Sequence, residues 1–267
     1  MMKIDKLSGF VVVTGASSGI GLELAKLAAD DGCDLLLVAD RDLGEVEAAV
    51  KSAGATAETL QADLATPQGL QSLMNAIGER PVDALLANAG HGLGDAFLDQ
   101  AWKDIAHVIH TNVTGTTWLL HQIGQRMRSR NAGRILVTGS IAGHIPGSFQ
   151  LVYNSTKSYI DYFCFGLRNE LKATEVVITC LMPGVTDTEF FDRANMQDTS
   201  VGQSNDKADP AKVAKDGYVA LLEGEAHTVS GLMNKIQDTF AGIIPDTLLA
   251  QMHRKMAEPK QPEISKV

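Results

Sequence analysis

Two side chains in this sequence have the chemistry and spacing to handle a proton. Tyr153 and Lys157 stand four residues apart where a helical pattern begins, so a helix would place them on one face. A tyrosine, with an ordinary pKa near about 10, is a poor acid or base at neutral pH, but a nearby positive charge favours its phenolate. Bringing that pKa close to neutrality requires about 4 kcal/mol, which a lysine and a second cation can supply. Both residue types are common on helix surfaces, so the meaning of the pair depends on the elements around it.

A glycine-rich turn follows the first strand-like run. Residues Gly9–Val13 are apolar and mostly β-branched, and residues 14–21 read Thr-Gly-Ala-Ser-Ser-Gly-Ile-Gly before a helical pattern. Such glycines let the backbone turn sharply and approach a phosphate, while the N-terminus of the next helix attracts the anion. The spacing departs from the commoner Gly-x-Gly-x-x-Gly, and a purely structural turn is the alternative. Its place between a strand and a helix favours nucleotide binding.

Two charged residues follow the second predicted strand, Asp34–Ala39. Asp40 stands where an acidic side chain accepts hydrogen bonds from the adenosine ribose and repels a 2'-phosphate, which favours NAD. Arg41 argues the other way, because a guanidinium can clamp a phosphate. A pair of solvated charges at the start of a loop is the remaining interpretation.

Strands and helices alternate along the rest of the chain. Further strands are predicted at Ala57–Gln61, Val82–Ala87, Arg134–Thr138, Val176–Leu181 and Ala226–Val229. Helices are predicted at Leu43–Ser52, Pro67–Ile77, Trp102–Arg130, Tyr153–Leu171 and Pro210–Leu222. Ligands bind at the carboxyl ends of parallel strands, so we expect the polar and small residues that follow these strands to meet there.

One asparagine and several histidines are candidates for functional side chains. Asn112 falls inside the long helix 102–130, where it marks either a local kink or a functional amide. His91, on a glycine-rich loop, either lines a pocket or is solvated. The histidines of the long helix lack the His-Glu-x-x-His pattern, so we assign no metal; they are His107, His110 and His121.

The last third of the chain contains a polar segment and an amphipathic tail. Periodicity fails between Glu189 and Asp209, which predicts a mobile lid at the ligand edge. After Pro245, apolar residues at helical spacing predict a packed helix; they are Leu248, Leu249, Met252 and Met256. We therefore expect one domain over residues 1–267, with a mobile loop at about 189–209 and a helical extension at about 231–267.

Composition excludes several classes of protein. With 23 basic and 32 acidic residues, the formal net charge is -9, which disfavours binding to nucleic acid or an anionic membrane. No run of eighteen apolar residues predicts a membrane span, and the N-terminus is too polar for a signal peptide. Three widely spaced cysteines fit a reducing, cytoplasmic compartment; they are Cys33, Cys164 and Cys180.

The whole set of motifs resembles the short-chain dehydrogenase/reductase family over about residues 8–190. The matching features, in order, are Thr14-Gly15-x-x-x-Gly19-Ile20-Gly21, Asp63, Asn88-Ala89-Gly90, Asn112, Ser140, Tyr153-x-x-x-Lys157 and Pro183-Gly184. The resemblance implies a Rossmann-type, doubly wound three-layer α/β fold with a central, mostly parallel seven-stranded sheet. It also implies hydride transfer between NAD(P) and the CH–OH or C=O group of a small alcohol or ketone.

The resemblance further implies roles for single residues. Tyr153 would be the general acid/base, and Lys157 would hydrogen-bond the nicotinamide ribose and depress the tyrosine pKa. Ser140 would hold the substrate oxygen, and Asn112 would anchor a water that links Lys157 to solvent. The implied cofactor-binding residues are Gly15, Ser17, Ser18, Gly19, Ile20, Gly21, Asp40, Arg41, Asp63, Leu64, Asn88, Ala89, Gly90, Tyr153, Lys157, Pro183, Gly184, Thr186 and Thr188. Among them, Asp63 and Leu64 would meet the adenine, and the two threonines the carboxamide.

The sequence departs from the family at two places. The acidic NAD determinant aligns better with Ala39 than with Asp40, where members preferring NADP often carry a basic residue, so NAD is favoured and NADP stays open. The portion from Gly231 departs from the common short ending. Family members are commonly dimers or tetramers, which implies a homodimer or homotetramer. Apolar residues around the site suggest a hydrophobic substrate; they are Ile145, Phe149, Leu151 and Phe190.

Two other functions compete with hydride transfer. A catalytically silent, nucleotide-sensing Rossmann protein would be expected to lose Ser140, Tyr153 or Lys157, and all three are present. An epimerase or dehydratase of the related extended group is disfavoured by the glycine spacing and the chain length.

Overall fold

Seven parallel strands form the centre of the fold. The computed structural model describes residues 3–231 and 244–260. The strands are β1 Phe10–Thr14, β2 Asp34–Ala39, β3 Ala57–Gln61, β4 Ala84–Ala87, β5 Gly133–Thr138, β6 Val176–Met182 and β7 His227–Val229. They lie in the order β3-β2-β1-β4-β5-β6-β7, and every neighbouring pair is parallel. This sheet confirms the predicted Rossmann-type fold.

Helices cover both faces of the sheet and make the three layers. They are α1 Gly19–Asp30, α2 Gly44–Ser52, α3 Pro67–Ile77, α4 Trp102–Ile109, α5 Thr116–Arg130, α6 Leu151–Glu170, α7 Phe190–Arg193, α8 Pro210–Glu223 and α9 Asp246–Ala257. One core lies between the sheet and α3, α5 and α6, and a second lies between the sheet and α1, α2 and α8. Burial on both faces explains why the central strands are continuous apolar runs rather than alternating ones.

The order of the strands creates a crevice above β1 and β4. The chain winds from β1 outward to β3, then crosses back to β4 and winds the other way. At such a reversal the loops after the two central strands diverge, and a ligand can enter between them. The glycine-rich turn after β1 and the Asn88-Ala89-Gly90 loop after β4 therefore border one crevice.

The predicted helix over 102–130 is not a regular rod. A π-helical turn, His110–Gly115, joins α4 to α5 and has Asn112 at its centre. Helix is present on both sides of the turn, as predicted, and the local irregularity that was one of the two alternatives for Asn112 is confirmed. A π turn inserts one residue into the helical ladder and occurs often at functional sites.

Several predicted boundaries also move by one to three residues. Strand β4 begins at Ala84 rather than Val82, and β1 and β6 each extend one residue further, to Thr14 and Met182. Helix α6 begins at Leu151, so that Tyr153 lies within its first turn instead of opening it. Helix ends are set by caps and tertiary contacts that periodicity does not record.

The segment after β6 is more structured than its polar composition suggested. Between Glu189 and Asp209 it contains α7 and four buried side chains: Phe191, Ala194, Met196 and Thr199. Helix α9 packs on this segment, with Val201 N donating to Met256 O at 3.0 Å and Lys260 N donating to Asp198 O at 3.1 Å. Mobility of the loop at 189–209 stays a prediction, and residues 232–243 and 261–267 of the predicted extension lie outside the described residues. In the described ranges, no helix is both long and apolar enough to cross a membrane.

Candidate active site

The glycine-rich turn is held tightly against the loop after β4. Thr14 Oγ1 accepts hydrogen bonds from the main-chain nitrogens of Asn88 and Ala89, both at 3.1 Å. Gly15 has a φ of 64°, and Gly19 one of 55°, which are left-handed conformations that suit glycine. A Cβ on Gly19 would lie 2.8 Å from the Thr188 side chain. The turn therefore requires glycine both for its backbone conformation and for its close approach to β4 and β6.

The start of α1 is suited to an anion. Its N-cap residue, Ser18, makes no side-chain capping bond to the helix, and the first turn carries no acidic residue. Amide groups at a helix N-terminus need an acceptor, and the helix dipole favours a negative charge there. The Ser18 hydroxyl instead accepts a hydrogen bond from Arg193 Nη2 of α7 at 3.0 Å. Glycines, uncapped amides and a nearby guanidinium fit the pyrophosphate of a dinucleotide.

A carboxylate stands between a guanidinium and an imidazole at the end of β2. Asp40 Oδ1 lies 3.2 Å from Arg41 Nε, and Asp40 Oδ2 lies 3.5 Å from His91 Nε2. The hydrogen bond to His91, followed by the effects of Arg41, holds the pKa of Asp40 well below its ordinary value despite partial burial. Because β1 lies between β2 and β4, the Asp40–His91 contact spans the crevice. His91 is thus a site residue and not simply a solvated loop histidine.

The predicted adenine-side residues follow β3. Leu64 is buried in the core on the α3 face, and Asp63 Oδ1 accepts a hydrogen bond from Ala65 N at 2.9 Å. Asp63 therefore orders its own turn, and its main chain lies at the sheet edge beside Asp40.

The predicted proton-handling residues come together after β5 and at the start of α6. The Ser140 hydroxyl interacts with the Tyr153 phenol and lowers its pKa, and it donates to Pro183 O at 3.4 Å. It also accepts a bond from Ala142 N at 3.1 Å, as the cap of the short helix Ile141–His144. Lys157 Nζ donates to Thr138 O at 2.7 Å and lies 5.8 Å from the centre of the Tyr153 ring. The serine hydroxyl and the phenol thus stand together at one point of the cavity wall.

Electrostatics at the tyrosine differ from the expectation. Burial raises the pKa of Tyr153 to about 12; the Ser140 hydrogen bond lowers it, and the charge of Asp161 raises it. Burial also lowers the pKa of Lys157, against the charge of Asp161, which raises it. In this arrangement the tyrosine pKa is raised because the Lys157 ammonium is turned to the Thr138 carbonyl and burial dominates; its depression by Lys157 together with a second cation stays a prediction.

Asn112 links the π turn to the crevice and to α6. Its Oδ1 accepts a hydrogen bond from His91 N at 2.8 Å, and its Nδ2 donates to His91 O and to Thr156 Oγ1, both at 2.9 Å. The side-chain amide is thus fully used in holding the loop after β4 against the catalytic helix. A Cβ on Gly90 would lie 3.3 Å from Asn112 Oδ1 and 3.5 Å from Lys157 Nζ, so Asn112 and Lys157 approach the same point.

A single cavity of about 260 Å³ joins most of the predicted site residues. The predicted residues that line it are Gly15, Ser18, Gly19, Ile20, Asn88, Ala89, Gly90, Ser140, Tyr153, Lys157, Pro183, Gly184, Thr186 and Thr188. Those that lie outside its lining are Ser17, Gly21, Asp40, Arg41, Asp63, Leu64 and Asn112. The first group surrounds the phosphate and reaction centres, and the second consists of the adenosine-side residues and supporting positions.

The far wall of the cavity is largely apolar. The ring centre of Phe190 lies 4.9 Å from that of Tyr153, and other apolar side chains continue the wall: Ile145, Val185, Phe191, Val201 and Met256. Two polar side chains interrupt it, Gln150 and His253. His253 Nδ1 lies 2.8 Å from Ser148 O, and burial lowers the pKa of His253, so the neutral ring donates to that carbonyl.

Sequence reasoning missed two residues of this site. Asp161 is fully buried one helical turn beyond Lys157, and the repeated four-residue spacing of Tyr153, Lys157 and Asp161 was a signal that could have revealed it. His253 comes from the tail helix, and no local pattern indicates that this helix reaches the cavity.

Fold and side chains together define a class of protein. An anion cradle at the β1 turn, a ribose-side carboxylate and a tyrosine–serine–lysine group at one cavity are the parts of a nicotinamide-dinucleotide oxidoreductase.

Comparisons with known proteins agree with this class. A family model described as "short chain dehydrogenase" matches residues 9–199 of this chain. Serine 3-dehydrogenase of Agrobacterium fabrum is 30% identical over 187 residues, which cover 69% of this chain and 74% of that protein. Sulfoacetaldehyde reductase 2 of Chromohalobacter salexigens is 32% identical over 189 residues, with 69% and 75% covered. A short-chain dehydrogenase from Sphingobium yanoikuyae, solved with NADPH, superposes with a TM-score of 0.80 at 26% identity, covering 96% of this chain and 99% of that one.

The chain belongs to the short-chain dehydrogenase family. It is an NAD(P)-dependent oxidoreductase that transfers a hydride between the nicotinamide and an alcohol or carbonyl carbon. Nothing in the site or in the comparisons supports the alternative of a catalytically silent nucleotide sensor.

Proposed function

We propose that this enzyme interconverts a neutral, mainly apolar secondary alcohol and its ketone, with NAD as the preferred cofactor. The observation that carries the proposal is the cavity itself, in which the Ser140–Tyr153 pair faces a wall built largely of aromatic and aliphatic side chains. Apolar walls contribute binding energy in proportion to the apolar area that they remove from water.

The side chains divide the reaction among them. Ser140 positions the substrate oxygen, and Tyr153 gives a proton to that oxygen during reduction and removes it during oxidation. With a pKa of about 12, Tyr153 is protonated at neutral pH, which is the form that reduction requires. The bound nicotinamide supplies the hydride, and its oxidised ring adds the second positive charge that favours the phenolate. Lys157 holds the nicotinamide ribose and supplies the first.

Asn112 keeps a proposed role in the supply of protons to Lys157. Its side-chain amide is bonded to His91 and Thr156, so a linking water would bind to its main-chain carbonyl. The Asn112 side chain holds the π turn in place, and the π turn sets the orientation of this carbonyl group.

Preference for NAD follows from the charge at the end of β2. Asp40 remains ionised because His91 and Arg41 stabilise its carboxylate, and an ionised carboxylate repels a 2'-phosphate. Arg41 is already engaged by Asp40, and its Nη1 lies 3.8 Å from Glu189 Oε2. A 2'-phosphate would have to compete with both acids for this guanidinium. The NADPH bound to the Sphingobium yanoikuyae enzyme shows that similar chains accept the phosphate, so the preference is a property of these particular residues.

The charge of the cavity argues against the substrates named for the two relatives. Serine carries a carboxylate and an ammonium group, and sulfoacetaldehyde carries a sulfonate, so each needs a charged partner. Of the described residues that line the cavity, the cations Lys157 and Arg193 are bonded to Thr138 O and to Ser18 and Glu189 respectively. The substrate half instead offers Gln150 and neutral His253, which suit a hydroxyl or carbonyl group remote from the reacting carbon.

The test is a cofactor and substrate panel. Purified protein with NAD or NADP should change the absorbance of the reduced nicotinamide in the presence of bulky apolar secondary alcohols, and should remain inactive with serine. Tyr153→Phe should lose at least about a hundredfold in kcat, since general acid–base catalysis contributes that much, and should bind the cofactor as the wild type does. Activity on serine with none on apolar alcohols would refute the substrate class; full turnover by Tyr153→Phe would refute the assigned acid.

We further propose assembly and location from two surface and core features. Helix α6 exposes Tyr159 and Tyr162 beside α5, where Tyr159 hydroxyl lies 3.2 Å from Thr117 Oγ1, and this face suits a homodimer or homotetramer. The three free, buried cysteines suit the reducing cytoplasm.

A further inference from the structure

Helix α6 carries a third titratable residue on its catalytic face. Asp161 follows Lys157 by four residues and Tyr153 by eight, and its side chain is completely buried. Its Oδ1 lies 3.4 Å from Ser140 N and 3.4 Å from Cys180 Sγ, and both groups donate to it. The carboxyl group is thus bonded directly to the main chain of the residue that holds the Tyr153 phenol.

The loop after β5 is shaped around this carboxyl group. A Cβ on Gly139 would overlap Asp161 Oδ1, and a Cβ on Gly143 would lie 2.5 Å from Asp161 Oδ2. Only residues without a side chain fit at these two places on either side of Ser140. The approach of the loop to α6 is therefore matched to the shape of the Asp161 side chain.

The second carboxyl oxygen has no hydrogen bond. Asp161 Oδ2 is buried without a hydrogen-bond partner among the described residues, and His144 Nε2 lies 3.9 Å from it. Bonding Ser140 N needs only one acceptor, which an asparagine would also supply. A buried oxygen without a partner is costly, so anchoring alone does not account for a carboxylate here.

We propose that Asp161 is a positioning residue of the active site, whose buried carboxylate fixes Ser140 through its main chain and keeps Lys157 in its charged form. The inference rests on the proposed function, because it assigns the charge to the Tyr153–Lys157 pair. The titratable groups that interact with Asp161 are Tyr153 and Lys157 of α6, His144 after β5 and Cys180 of β6. Lys157 is the one cation of this set whose own charge the proposed reaction uses.

The direction of the effect follows from electrostatics. A negative charge raises the pKa of both a phenol and an ammonium, and Asp161 raises those of Tyr153 and Lys157. Removing the charge should let the coupled pair lose its proton at lower pH. Burial, opposed mainly by Lys157, raises the pKa of Asp161 itself to about 6, so the carboxylate is present at neutral pH and is lost on acidification.

The decisive variant is Asp161→Asn, which keeps the shape and the Oδ1 acceptor and removes the charge. In alcohol oxidation, its acidic limb of kcat/KM against pH should move to lower pH by about half a unit or more. Cys180→Ala is the matched control, because it removes a donor to Asp161 without changing the charge; its limb should stay in place. If Asp161→Asn lowers kcat but leaves the acidic limb of the kcat/KM profile at the same pH, Asp161 has only a structural role and the proposal is overturned.

Two readouts without turnover separate this inference from the proposed function. The tyrosinate absorbance of Tyr153 is obtained by subtracting the titration of a Tyr153→Phe protein from that of the matching protein with Tyr153. In the Asp161→Asn background this absorbance should appear at lower pH than in the wild type. In the wild type the folded pKa of Asp161 lies above its ordinary value, so the melting temperature should fall as pH rises from about 4 to about 6. Asp161→Asn should lack that fall. Unchanged tyrosinate titration and an unchanged melting profile would refute the inference even if the enzyme is active.

Discussion

At the end of β2, the proposed preference for NAD depends on one carboxylate. Asp40 is oriented from two sides, by Arg41 of its own loop and by His91 from across the crevice. A side chain held in this way presents a fixed acceptor to a ribose hydroxyl and a fixed repulsion to a phosphate. On the proposed function, cofactor choice therefore depends on the contacts among these three residues rather than on a single acidic position.

Replacing Asp40 by alanine should relax the discrimination against NADP. The repulsion disappears and Arg41 is released toward a phosphate, so the ratio of kcat/KM for NAD to that for NADP should fall by about tenfold or more, equivalent to about 1.4 kcal/mol. The two ratios, measured with one alcohol before and after the change, decide the matter. His91→Asn is the companion variant: it leaves the Asp40 charge but removes its support, and should move the ratio in the same direction by less. An unchanged ratio of the two kcat/KM values in Asp40→Ala would show that Asp40 does not contribute to cofactor preference.

The positions of single residues were predictable from sequence where they follow directly from the predicted strands and helices. Ser140 and Asn88 follow strands, so their arrival at the sheet edge follows from the alternation of strands and helices. Asp161 was not recognised, because the surrounding apolar side chains of α6 assign that helix face to the core. The raised pKa of Tyr153 in the protein alone could not be foreseen either, since spacing shows that a cation is near but not that burial outweighs it.

Among the elements, the tail helix α9 has the clearest consequence for the site. His253 donates to Ser148 O, and its Nε2 lies 3.4 Å from Asn154 Nδ2, next to the catalytic tyrosine in sequence. The histidine thus ties α9 both to the loop before α6 and to α6 itself. Closure of the cavity on this side depends on a neutral imidazole.

Acidification should therefore loosen α9. Burial lowers the folded-state pKa of His253 below its ordinary value, which is about 6.5, so its contribution to stability is complete above that pH and is lost as pH falls through the folded pKa. Amide hydrogen exchange in α9 should accelerate between about pH 7 and pH 5 more than exchange in the central strands.

Glutamine is the matched replacement for His253, since it can keep both hydrogen bonds but does not titrate. His253→Gln should remove most of the additional pH dependence in α9, and it should raise the KM for an apolar alcohol by no more than a few-fold, as expected for one neutral hydrogen bond of about 1 kcal/mol. An equal acceleration in the wild type and in the variant would exclude His253 as its source.

Elements themselves were predicted well where their pattern is local. Five of the seven strands follow from apolar runs ended by glycine or polar residues; β3 and β7 are more polar and were predicted from their place between helices and turns. Pro67 and Pro210 correctly mark the starts of α3 and α8. The π turn at Asn112 depends on bonds to His91 and Thr156, which belong to other elements. The docking of α9 likewise depends on contacts about a hundred residues away in sequence, such as His253 with Ser148 and Asn154.

At the scale of the whole molecule, the exposed aromatic face of α6 points to self-association. Tyr162 is 70% exposed, and Tyr159 stacks on Phe163 with ring centres 5.6 Å apart. Tyr162→Lys should shift the proposed dimer or tetramer toward smaller species, because an ammonium is costly to bury without a partner. Light scattering after size exclusion measures the mass. Leu98→Lys, at a side chain that is 89% exposed elsewhere, is the control and should leave the mass unchanged. A wild type that is already monomeric would contradict the proposed assembly.

The cavity combines residues inside and outside the part of the chain that matches the family. Residues 9–199, which match the family, contain the anion cradle and the proton-handling group, whereas Val201, His253 and Met256 of the cavity wall lie beyond that range. The apolar wall is therefore shared: Ile145, Val185, Phe190 and Phe191 lie within the family match, and the rest of the wall comes from beyond it. Exchange of the carboxyl-terminal portion between relatives would change one side of the cavity and leave the proton-handling group in place, so we expect it to alter substrate preference without a change in the chemistry.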